Sequence, residues 1–411
     1  MTSLVRRKMC FGTSSGRLSQ LCHFGPIIAI FLICFITYSG FLCLIQWWPP
    51  ITLSGQINFI IYLTWPLLIF YNYFNAVFLG PGFVPLNWRP ENKEDEKKLQ
   101  FCKICNSFKA PRSHHCKKCQ SNKCFNLWYA QDHHCPWINT CCGHFNHASF
   151  VYFLLSAPLG CSHALIVLAP SLYRALYRNY YIFYRHTQVP LVNLSVYQMI
   201  ACLFAIGMAF GVVIAVGMLF YVQMKSIVRN RTGIEDWIIK KAKHRREQNN
   251  IEEKFVYPYD LGKLENMRQV FNWSGNFRPI GNGFEWNLVD GCDQFTLSLE
   301  QIAQKEEKKA HSVRYVAIRE YNGAFFPIIH GCKACCCIPI SDDPRMPVSI
   351  NEEIMVTRWQ KHWLYGEKVV SKSNNPKIKT KKGWFPSKIV KIHPSSLEKL
   401  EQDQFEHEKK E

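Results

Sequence analysis

Four long apolar segments constrain this chain more than any other feature of its sequence. They lie at residues 26–47, 57–79, 148–172 and 196–224, and each is long enough to cross about 30 Å of hydrocarbon as a helix. None of the four contains Lys, Arg, Asp or Glu, which favours membrane spans over the buried helices of a soluble protein. The sequence therefore predicts an α-helical polytopic membrane protein with four transmembrane helices.

The charge of the chain indicates its surroundings and its orientation. A formal net charge of +19 suits either acidic phospholipid surfaces or nucleic acid. No basic helix or aromatic-interleaved strand pattern accompanies the charge, so the lipid bilayer is the expected partner and nucleic acid is not. Basic residues precede the first span, are absent between the first two and are frequent in 80–147. The positive-inside rule then predicts that both termini and the segment 80–147 are cytosolic.

The remaining segments differ in composition. Residues 298–310 are charged, and from residue 313 short apolar and polar alternations are broken by Gly, Pro and Asn, which predicts a small all-β domain. The predicted order is a cytosolic N-terminus 1–24, spans one and two in 25–79, a cytosolic cysteine-rich domain 80–147, spans three and four in 148–224, a cytosolic segment 225–297, a linker 298–312, a small β-barrel 313–394 and a charged tail 395–411.

Nineteen cysteines suit either a secreted disulfide framework or a reduced protein that uses thiolates. Their spacing decides between these two, since the pairs Cys102-x-x-Cys105 and Cys116-x-x-Cys119 lie among histidines and lysines. A structural zinc ion takes four thiolate or imidazole ligands, and residues 102–142 supply enough Cys and His for two such sites. Two zinc ions are therefore the expected cofactors.

The tetrapeptide Asp132-His133-His134-Cys135 is the sharpest chemical feature. It places a thiol beside an imidazole that can take its proton and a carboxylate that can orient that imidazole. The attacking species on a thioester is the thiolate, and a neighbouring His raises the thiolate fraction near neutral pH. Taken alone, the tetrapeptide is equally consistent with four zinc ligands. Together with the two upstream Cys-x-x-Cys pairs, the tetrapeptide gives one ligand set more cysteines than a zinc ion needs. One cysteine is then left over.

The stretch CKICNSFKAPRSHHCKKCQSNKCFNLWYAQDHHCPWINTCC resembles the cysteine-rich domain of the DHHC family of protein palmitoyltransferases, and the resemblance extends over about residues 26–273. It implies four spans with the catalytic domain between the second and third. It also implies Cys135 as nucleophile, His133 as its base and Asp132 as the residue that orients His133. The resemblance further implies two sets of zinc ligands. The first set is Cys102, Cys105, His115 and Cys124, and the second is Cys116, Cys119, His134 and Cys141. His114 and Cys142 lie outside both sets.

Three further segments resemble family motifs in weakened form: Gly80-Pro81-Gly82 after the second span, Thr232-Gly233-Ile234-Glu235 after the fourth, and Asn266 with Val270 and Phe271.

The spacing around Cys124 departs further from the family pattern. Residues 120–123 separate Cys119 from Cys124 and residues 125–131 separate Cys124 from Asp132, and both spacings exceed those of the family. Loop lengthening costs little closure entropy, whereas a displaced base costs much rate. A catalytically impaired isoform or a non-catalytic membrane zinc adaptor is therefore the alternative to an active enzyme.

The β domain is similar to a Src-homology-type barrel at Val316-Ala317-Ile318 and Gly383-Trp384-Phe385-Pro386. The resemblance implies that a peptide or protein binds at an aromatic groove. Trp384 and Pro386 match residues of that groove. A packing role is the alternative, because the acidic loop of such barrels is replaced by residues 331–337. The cysteines Cys335, Cys336 and Cys337 are expected in an exposed loop as candidate sites of S-acylation or redox modification.

The function expected from these features is transfer of a palmitoyl group, or another long-chain acyl group, from acyl-CoA through Cys135 to cysteines of membrane-associated proteins. Both steps exchange one thioester for another, so no energy source is required. A channel or transporter would use polar groups inside the spans, and the lack of charge there argues against it. Likeness to the family member that carries a C-terminal barrel implies residence in the endoplasmic reticulum membrane.

Overall fold

The computed structural model describes residues 18–85, 87–119, 127–128, 132–184, 190–272, 279–325, 331–341, 343–369, 381–394 and 396. Four helices are long and apolar enough to cross a membrane, by length and composition. They are Phe24–Trp47, Leu53–Leu79, His147–Leu176 and Val196–Val228, hereafter the first to fourth spans. The four predicted spans are thereby confirmed, and the third and fourth extend several residues further towards their C-terminal ends than the hydropathy indicates.

Local sequence explains where these helices begin. The Thr52 side chain accepts a hydrogen bond from the Gly55 N–H at the start of the second span. Ser195 and Gln198 form a capping box at the start of the fourth. Such caps satisfy backbone N–H groups that the first helical turn leaves without partners.

The third span is the centre of the helical bundle. It packs against each of the other three spans. One apolar cluster joins all four spans through Leu44, Tyr62, Val167 and Ala205. A second cluster, which includes Tyr73, Phe150 and Leu154, extends from the spans to Cys135 in the cysteine-rich segment. The bundle and that segment therefore share one continuous core.

In the described part of the cysteine-rich segment between the second and third spans, six short strands form three antiparallel pairs, of which the last is hereafter the third hairpin. Their strands are β1 (Phe101–Cys102) with β2 (Ser107–Phe108), β3 (His114–His115) with β4 (Leu127–Trp128), and β5 (His133–Cys135) with β6 (Thr140–Cys142). A 3-10 helix, Lys93–Lys98, precedes them. Strands this short bury too little apolar surface to stabilise a hairpin alone, so this segment depends on other contacts.

Several contacts attach the third hairpin to the spans. Asn146 is fully buried, and its amide donates to the carbonyl oxygens of Ala76 at 2.9 Å and Cys141 at 3.0 Å. The Tyr73 hydroxyl donates to the Trp137 carbonyl at 2.9 Å. Gly25 of the first span lies so close to the Pro136 carbonyl that a Cβ at this position would overlap it. Contacts from the first two spans and from the residue before the third span thus fix the backbone that follows Cys135.

The segment after the fourth span forms two helices, Gly233–Gln248 (hereafter the juxtamembrane helix) and Lys263–Phe271. A capping box of Thr232 and Glu235 begins the juxtamembrane helix. Val270 and Phe271 pack against Ala148 and Ile227 at the ends of the third and fourth spans. The segment that resembles the C-terminal family motif therefore packs against the membrane bundle.

Residues 303–411 form a second compact unit. Its five strands, β7 (Val313–Ala317), β8 (Glu353–Gln360), β9 (Trp363–Lys368), β10 (Lys382–Pro386) and β11 (Val390–Ile392), make one antiparallel sheet in the order β10-β9-β8-β7-β11. Trp363, Phe385, Ile354 and Met346 are the large side chains of its core. The predicted all-β domain is confirmed.

Residues 298–310, predicted as a charged linker, lie in the helix Thr296–Ala310. One expectation for this part of the chain needs correction. The cysteines expected in a loop lie in or next to the short helix Cys332–Cys336. This helix is attached to the barrel because the Trp363 indole N–H donates to the Ala334 carbonyl at 2.9 Å.

Two further short elements lie in the described part of the chain. Arg178–Tyr184 is a helix that follows the third span, and Ser387–Ile389 is a 3-10 turn.

The expected ligand groove also differs from the structure. Trp384 is 4 % exposed and Pro386 is buried as well. The Trp384 indole N–H donates to the Ser341 hydroxyl at 2.8 Å, and its ring stacks edge-on against Tyr365. These two residues therefore belong to the core of the barrel and do not offer an open aromatic groove.

Candidate active site and metal centres

The third hairpin separates two kinds of chemistry by strand alternation. Its register pairs His133 with Cys142, His134 with Cys141 and Cys135 with Thr140. Successive side chains of a strand point to opposite faces, so His134 and Cys141 share one face while His133, Cys135 and Cys142 share the other. The four consecutive polar residues of the tetrapeptide are thereby divided between a metal cluster and a thiol–imidazole site.

Asp132, His133 and Cys135 form a connected series on the second face. His133 Nδ1 lies 2.9 Å from Asp132 Oδ2, and His133 also hydrogen-bonds to Cys135. Burial alone would lower the pKa of His133, whereas Asp132 and Cys135 raise it to about 9. Burial would raise the pKa of Asp132, but hydrogen bonds from His133 and the Gly233 N–H hold it well below its usual range. The carboxylate is therefore ionised beside an imidazole that readily carries a second proton.

Cys135 is buried, at 4 % exposure, against Tyr73, Phe150 and Phe153 of the second and third spans. A hydrogen bond from the Cys142 thiol, together with His133, lowers the pKa of Cys135 to about 5 against the opposing effect of burial. The thiolate is the nucleophilic form of cysteine. At neutral pH this arrangement holds a thiolate beside an imidazolium, next to the apolar surface of the membrane bundle.

Four groups from different parts of the chain hold the Asp132 carboxylate and backbone. Besides His133, the Gly233 N–H at the start of the juxtamembrane helix donates to Asp132 Oδ1 at 2.8 Å. The Gln223 amide of the fourth span donates to Asp132 Oδ2 at 3.0 Å. The backbone N–H of Asp132 donates to the Cys142 carbonyl at 3.0 Å. The weakened motif Thr232–Glu235 therefore touches the active site through its glycine.

The cluster on the first face can hold a metal ion. The ligand atoms of Cys116, Cys119, His134 and Cys141 all lie within 4.8 Å of one another. His134 Nδ1 is 3.2 Å from the Cys119 sulfur, which is 3.4 Å from the Cys141 sulfur. Four sulfur and nitrogen ligands at such separations fit a tetrahedral site with metal–ligand distances of about 2.0–2.3 Å. The structure brings together the whole second ligand set.

A second cluster contains Cys102, Cys105 and His115. The Cys105 sulfur is 3.0 Å from His115 Nδ1, and both cysteines lie in a small core with Val84 and Ala110. Cys124, the expected fourth ligand, lies outside the described residues, as does most of the lengthened spacing on either side of it. His114 and Cys142 belong to neither cluster among the residues that the structure describes.

A buried ion pair connects the cysteine-rich segment to the juxtamembrane helix. The Arg112 guanidinium donates to the two carboxylate oxygens of Glu235 at 2.7 and 2.9 Å, with side chains only 3 % and 0 % exposed. The rings of Tyr259 and Trp286 lie 4.6 Å from the Arg112 guanidinium carbon. Burial opposes the charge of each group, but their mutual attraction raises the pKa of Arg112 and lowers that of Glu235. The pair fixes the helix end whose Gly233 N–H contacts Asp132.

The sequence did not reveal several of these supporting residues, namely Gly25, Arg112, Asn146 and Gln223. Their partners lie as far away as 123 positions along the chain for Arg112 and 91 for Gln223. One signal was available: Gln223 is an amide near the C-terminal end of the fourth span, far from the capping residue Gln198, and polar groups inside spans are costly and often functional.

The fold and the site together define an integral membrane protein with a thiol–imidazole site in a Cys/His-rich segment between two spans, where two clusters could hold metal ions. A family model described as DHHC palmitoyltransferase matches residues 95–240. The chain is 44 % identical over 389 residues to palmitoyltransferase ZDHHC6 of Mus musculus, covering 92 % of each chain. It is 45 % identical over 385 residues to that of Danio rerio, covering 91 % of this chain and 92 % of the relative.

A more distant relative is the probable protein S-acyltransferase 16 of Arabidopsis thaliana, 28 % identical over 293 residues and covering 64 % of this chain and 92 % of the relative. The chain belongs to the DHHC palmitoyltransferase family. It is a multi-pass membrane enzyme that S-acylates proteins, and the alternative of a non-catalytic adaptor is not favoured.

The buried ion pair yields the first testable prediction. Glu235→Gln leaves the fully buried Arg112 without a counter-charge, which should lower the free energy of unfolding by about 3 kcal/mol. Glu300→Gln is the matched control: Glu300 is also buried and bonds Arg245 and Arg246, but those arginine side chains are 19 % and 22 % exposed and keep access to water. Thermal unfolding in detergent compares the two, and equal losses would contradict the special role of the Arg112 pair.

Proposed function

We propose that this enzyme takes a palmitoyl group, or another long-chain acyl group, from acyl-CoA onto Cys135 and passes it to cysteines of membrane-associated proteins. The observation that carries the proposal is the position of Cys135: it contacts apolar side chains of the second and third spans and also His133, which is held by Asp132. A long acyl chain gains about 0.8 kcal/mol for each methylene that it buries. A nucleophile at the edge of the bundle can therefore receive an acyl group whose chain lies among the spans.

The first step makes the acyl-enzyme. The Cys135 thiolate attacks the thioester carbonyl carbon, a new carbon–sulfur bond forms, and the bond to the CoA sulfur breaks. The departing CoA thiolate takes the proton of the His133 imidazolium, so that free CoA leaves as a thiol. Asp132 keeps His133 oriented and stabilises its charged form.

The second step uses the same groups in reverse. His133, now neutral, takes the proton of an acceptor cysteine, whose sulfur attacks the acyl carbon. The bond to Cys135 breaks, and the thiolate–imidazolium pair is restored. One thioester is exchanged for another in each step, and the residues that serve both steps are Cys135, His133 and Asp132.

Transfer to an acceptor tests this proposal. Purified enzyme in detergent is given alkyne-tagged palmitoyl-CoA and a membrane-anchored acceptor with one cysteine, beside Cys135→Ala and His133→Ala. We expect no transfer by Cys135→Ala and a loss of about 100-fold or more with His133→Ala, since general-base catalysis contributes roughly that factor. Full transfer by Cys135→Ala would contradict the assignment.

We further propose zinc as the metal of both clusters. Three thiolates and one imidazole, the donor set of Cys116, Cys119, His134 and Cys141, are characteristic of structural zinc. Zinc supplies only a structural link there: by holding His134 and Cys141 it would fix the third hairpin, and with it His133 and Cys135 on the opposite face. Cys124 completes the first set in this proposal, with Cys102, Cys105 and His115.

Metal analysis of purified variants tests these ligand sets. The parent should hold two zinc ions per chain, and Cys124→Ser should retain roughly one, because a structural site that loses a thiolate binds far more weakly. Cys142→Ser, which changes a cysteine outside both clusters, is the matched control and should retain two. Two ions in Cys124→Ser would remove Cys124 from the ligand set.

The barrel cysteines are proposed as acylation sites of the enzyme itself. Cys336 is exposed and Cys335 and Cys337 are partly exposed, on or next to the short helix Cys332–Cys336. Hydroxylamine-labile label on this peptide, absent after all three are changed to Ser, is the expected result. A peptide or protein ligand of the barrel is a weaker proposal, because Trp384 and Pro386 are buried.

The proposed location is the endoplasmic reticulum membrane, with both termini, the catalytic segment 80–147 and the barrel 313–394 in the cytosol. The basic residues of 80–147 and of 225–246 support this orientation. A tag at either terminus should be cleaved when protease is added to sealed microsomes without detergent. A tag that is protected would place its terminus in the lumen and contradict the proposed orientation.

A further inference from the structure

Gln223 connects the membrane bundle to the active site through both ends of its amide. It lies in the last part of the fourth span and is 8 % exposed. Its Nε2 donates to Asp132 Oδ2 at 3.0 Å, and its Oε1 lies 2.9 Å from His147 Nε2 at the start of the third span. One side chain thus joins the third span, the fourth span and the carboxylate.

The chemistry of the three groups fixes the orientation of the amide. An ionised carboxylate only accepts hydrogen bonds, so the amide nitrogen of Gln223 must face Asp132. The amide oxygen then faces His147, which must carry a proton on Nε2 to donate to it. With His147 in place, turning the amide over would set its oxygen against a carboxylate oxygen and its N–H₂ against an N–H. The hydrogen bond from His147 therefore stabilises the amide orientation that Asp132 requires.

Gln223 acts on the same carboxylate oxygen as His133. Oδ2 accepts from Gln223 and from His133 Nδ1 at 2.9 Å, while Oδ1 accepts from the Gly233 N–H at 2.8 Å. Loss of the Gln223 contact leaves Oδ2 with one side-chain donor and allows the carboxylate to turn about its bond to Cβ. The imidazole bonded to that oxygen would then turn away from Cys135.

We propose that Gln223 and His147 are a pair of positioning residues that hold Asp132, and through it His133, for acyl transfer at Cys135. The proposal rests on the roles of Cys135, His133 and Asp132 proposed above. Neither Gln223 nor His147 needs to touch the acyl donor. Their effect should therefore fall on the rate of the acylation step and not on the binding of acyl-CoA.

The test measures single-turnover acylation of the full-length enzyme by tagged palmitoyl-CoA over a range of concentrations. Gln223→Met keeps the length of the side chain without hydrogen-bonding groups, and His147→Phe removes the hydrogen bond that holds the amide oxygen in place. Each should lower the limiting rate constant about tenfold, the usual effect of one hydrogen bond to a charged group. The palmitoyl-CoA concentration that gives half of the limiting rate should stay at the value of the parent enzyme.

Two comparisons separate positioning from a general loss of structure. The double variant should be about as slow as either single variant, because the pair acts as one unit. Gln223→His, which keeps an N–H donor at similar reach, should recover most of the rate that Gln223→Met loses. Glu300→Gln removes a buried hydrogen-bonded carboxylate far along the chain from Asp132 and should keep the parent rate.

The proposal is overturned if Gln223→Met acylates at the parent rate, if the two losses multiply in the double variant, or if only the half-maximal concentration changes. Zinc content and thermal midpoint are measured for each variant. If Gln223→Met does not fold, a folded Gln223→His with an unrestored rate overturns the proposal and a restored rate supports it. Label that persists in Cys135→Ala would instead refute the roles of the catalytic residues, which distinguishes the two failures.

Discussion

The ionised carboxylate of Asp132 is the group on which the rest of the site depends, because parts of the chain far apart in sequence meet there. The third hairpin supplies His133, the juxtamembrane helix supplies the Gly233 N–H, and the fourth span supplies the Gln223 amide. A buried carboxylate is stable only when its oxygens accept hydrogen bonds. The requirements of this one charge therefore fix the relative positions of three structural elements.

Each of those elements is fixed in turn by contacts that are costly to break. The juxtamembrane helix is held by the buried pair of Arg112 and Glu235, and the third hairpin is held by Asn146 and Tyr73 and by a metal-binding cluster on its other face. A strand only three residues long, such as His133–Cys135, could not fix a thiol by its own pairing. Because a displacement of about 1 Å costs on the order of a hundredfold in rate, this dense support suits the role proposed for Cys135, whose thiol must meet a thioester in one geometry.

The parts that sequence could predict are those written in local patterns. The spans follow from runs of about 20 apolar residues, and the cysteine clusters follow from Cys-x-x-Cys pairs whose ligand spacing is set by metal geometry. The division of His133 and His134 between two faces also follows from strand alternation once the strand is known. Arg112 and Gln223 could not be identified in this way, since their partners are 123 and 91 residues distant and no local period encodes such contacts. The burial of Trp384 and Pro386 could not be predicted for a related reason: both match a motif, but packing of the whole barrel decides that they are buried.

The central claim is that Cys135 carries the acyl group, with its reactivity set by the neighbouring imidazole and carboxylate. The most direct measurement is peptide mass mapping of the purified enzyme, seconds after mixing with palmitoyl-CoA and without any acceptor. Cys142 provides an internal control, because it is a buried thiol that hydrogen-bonds to Cys135. We expect one hydroxylamine-labile palmitoyl group on Cys135 and none on Cys142. An unmodified Cys135 in zinc-loaded protein, or the acyl group on Cys142, would contradict it.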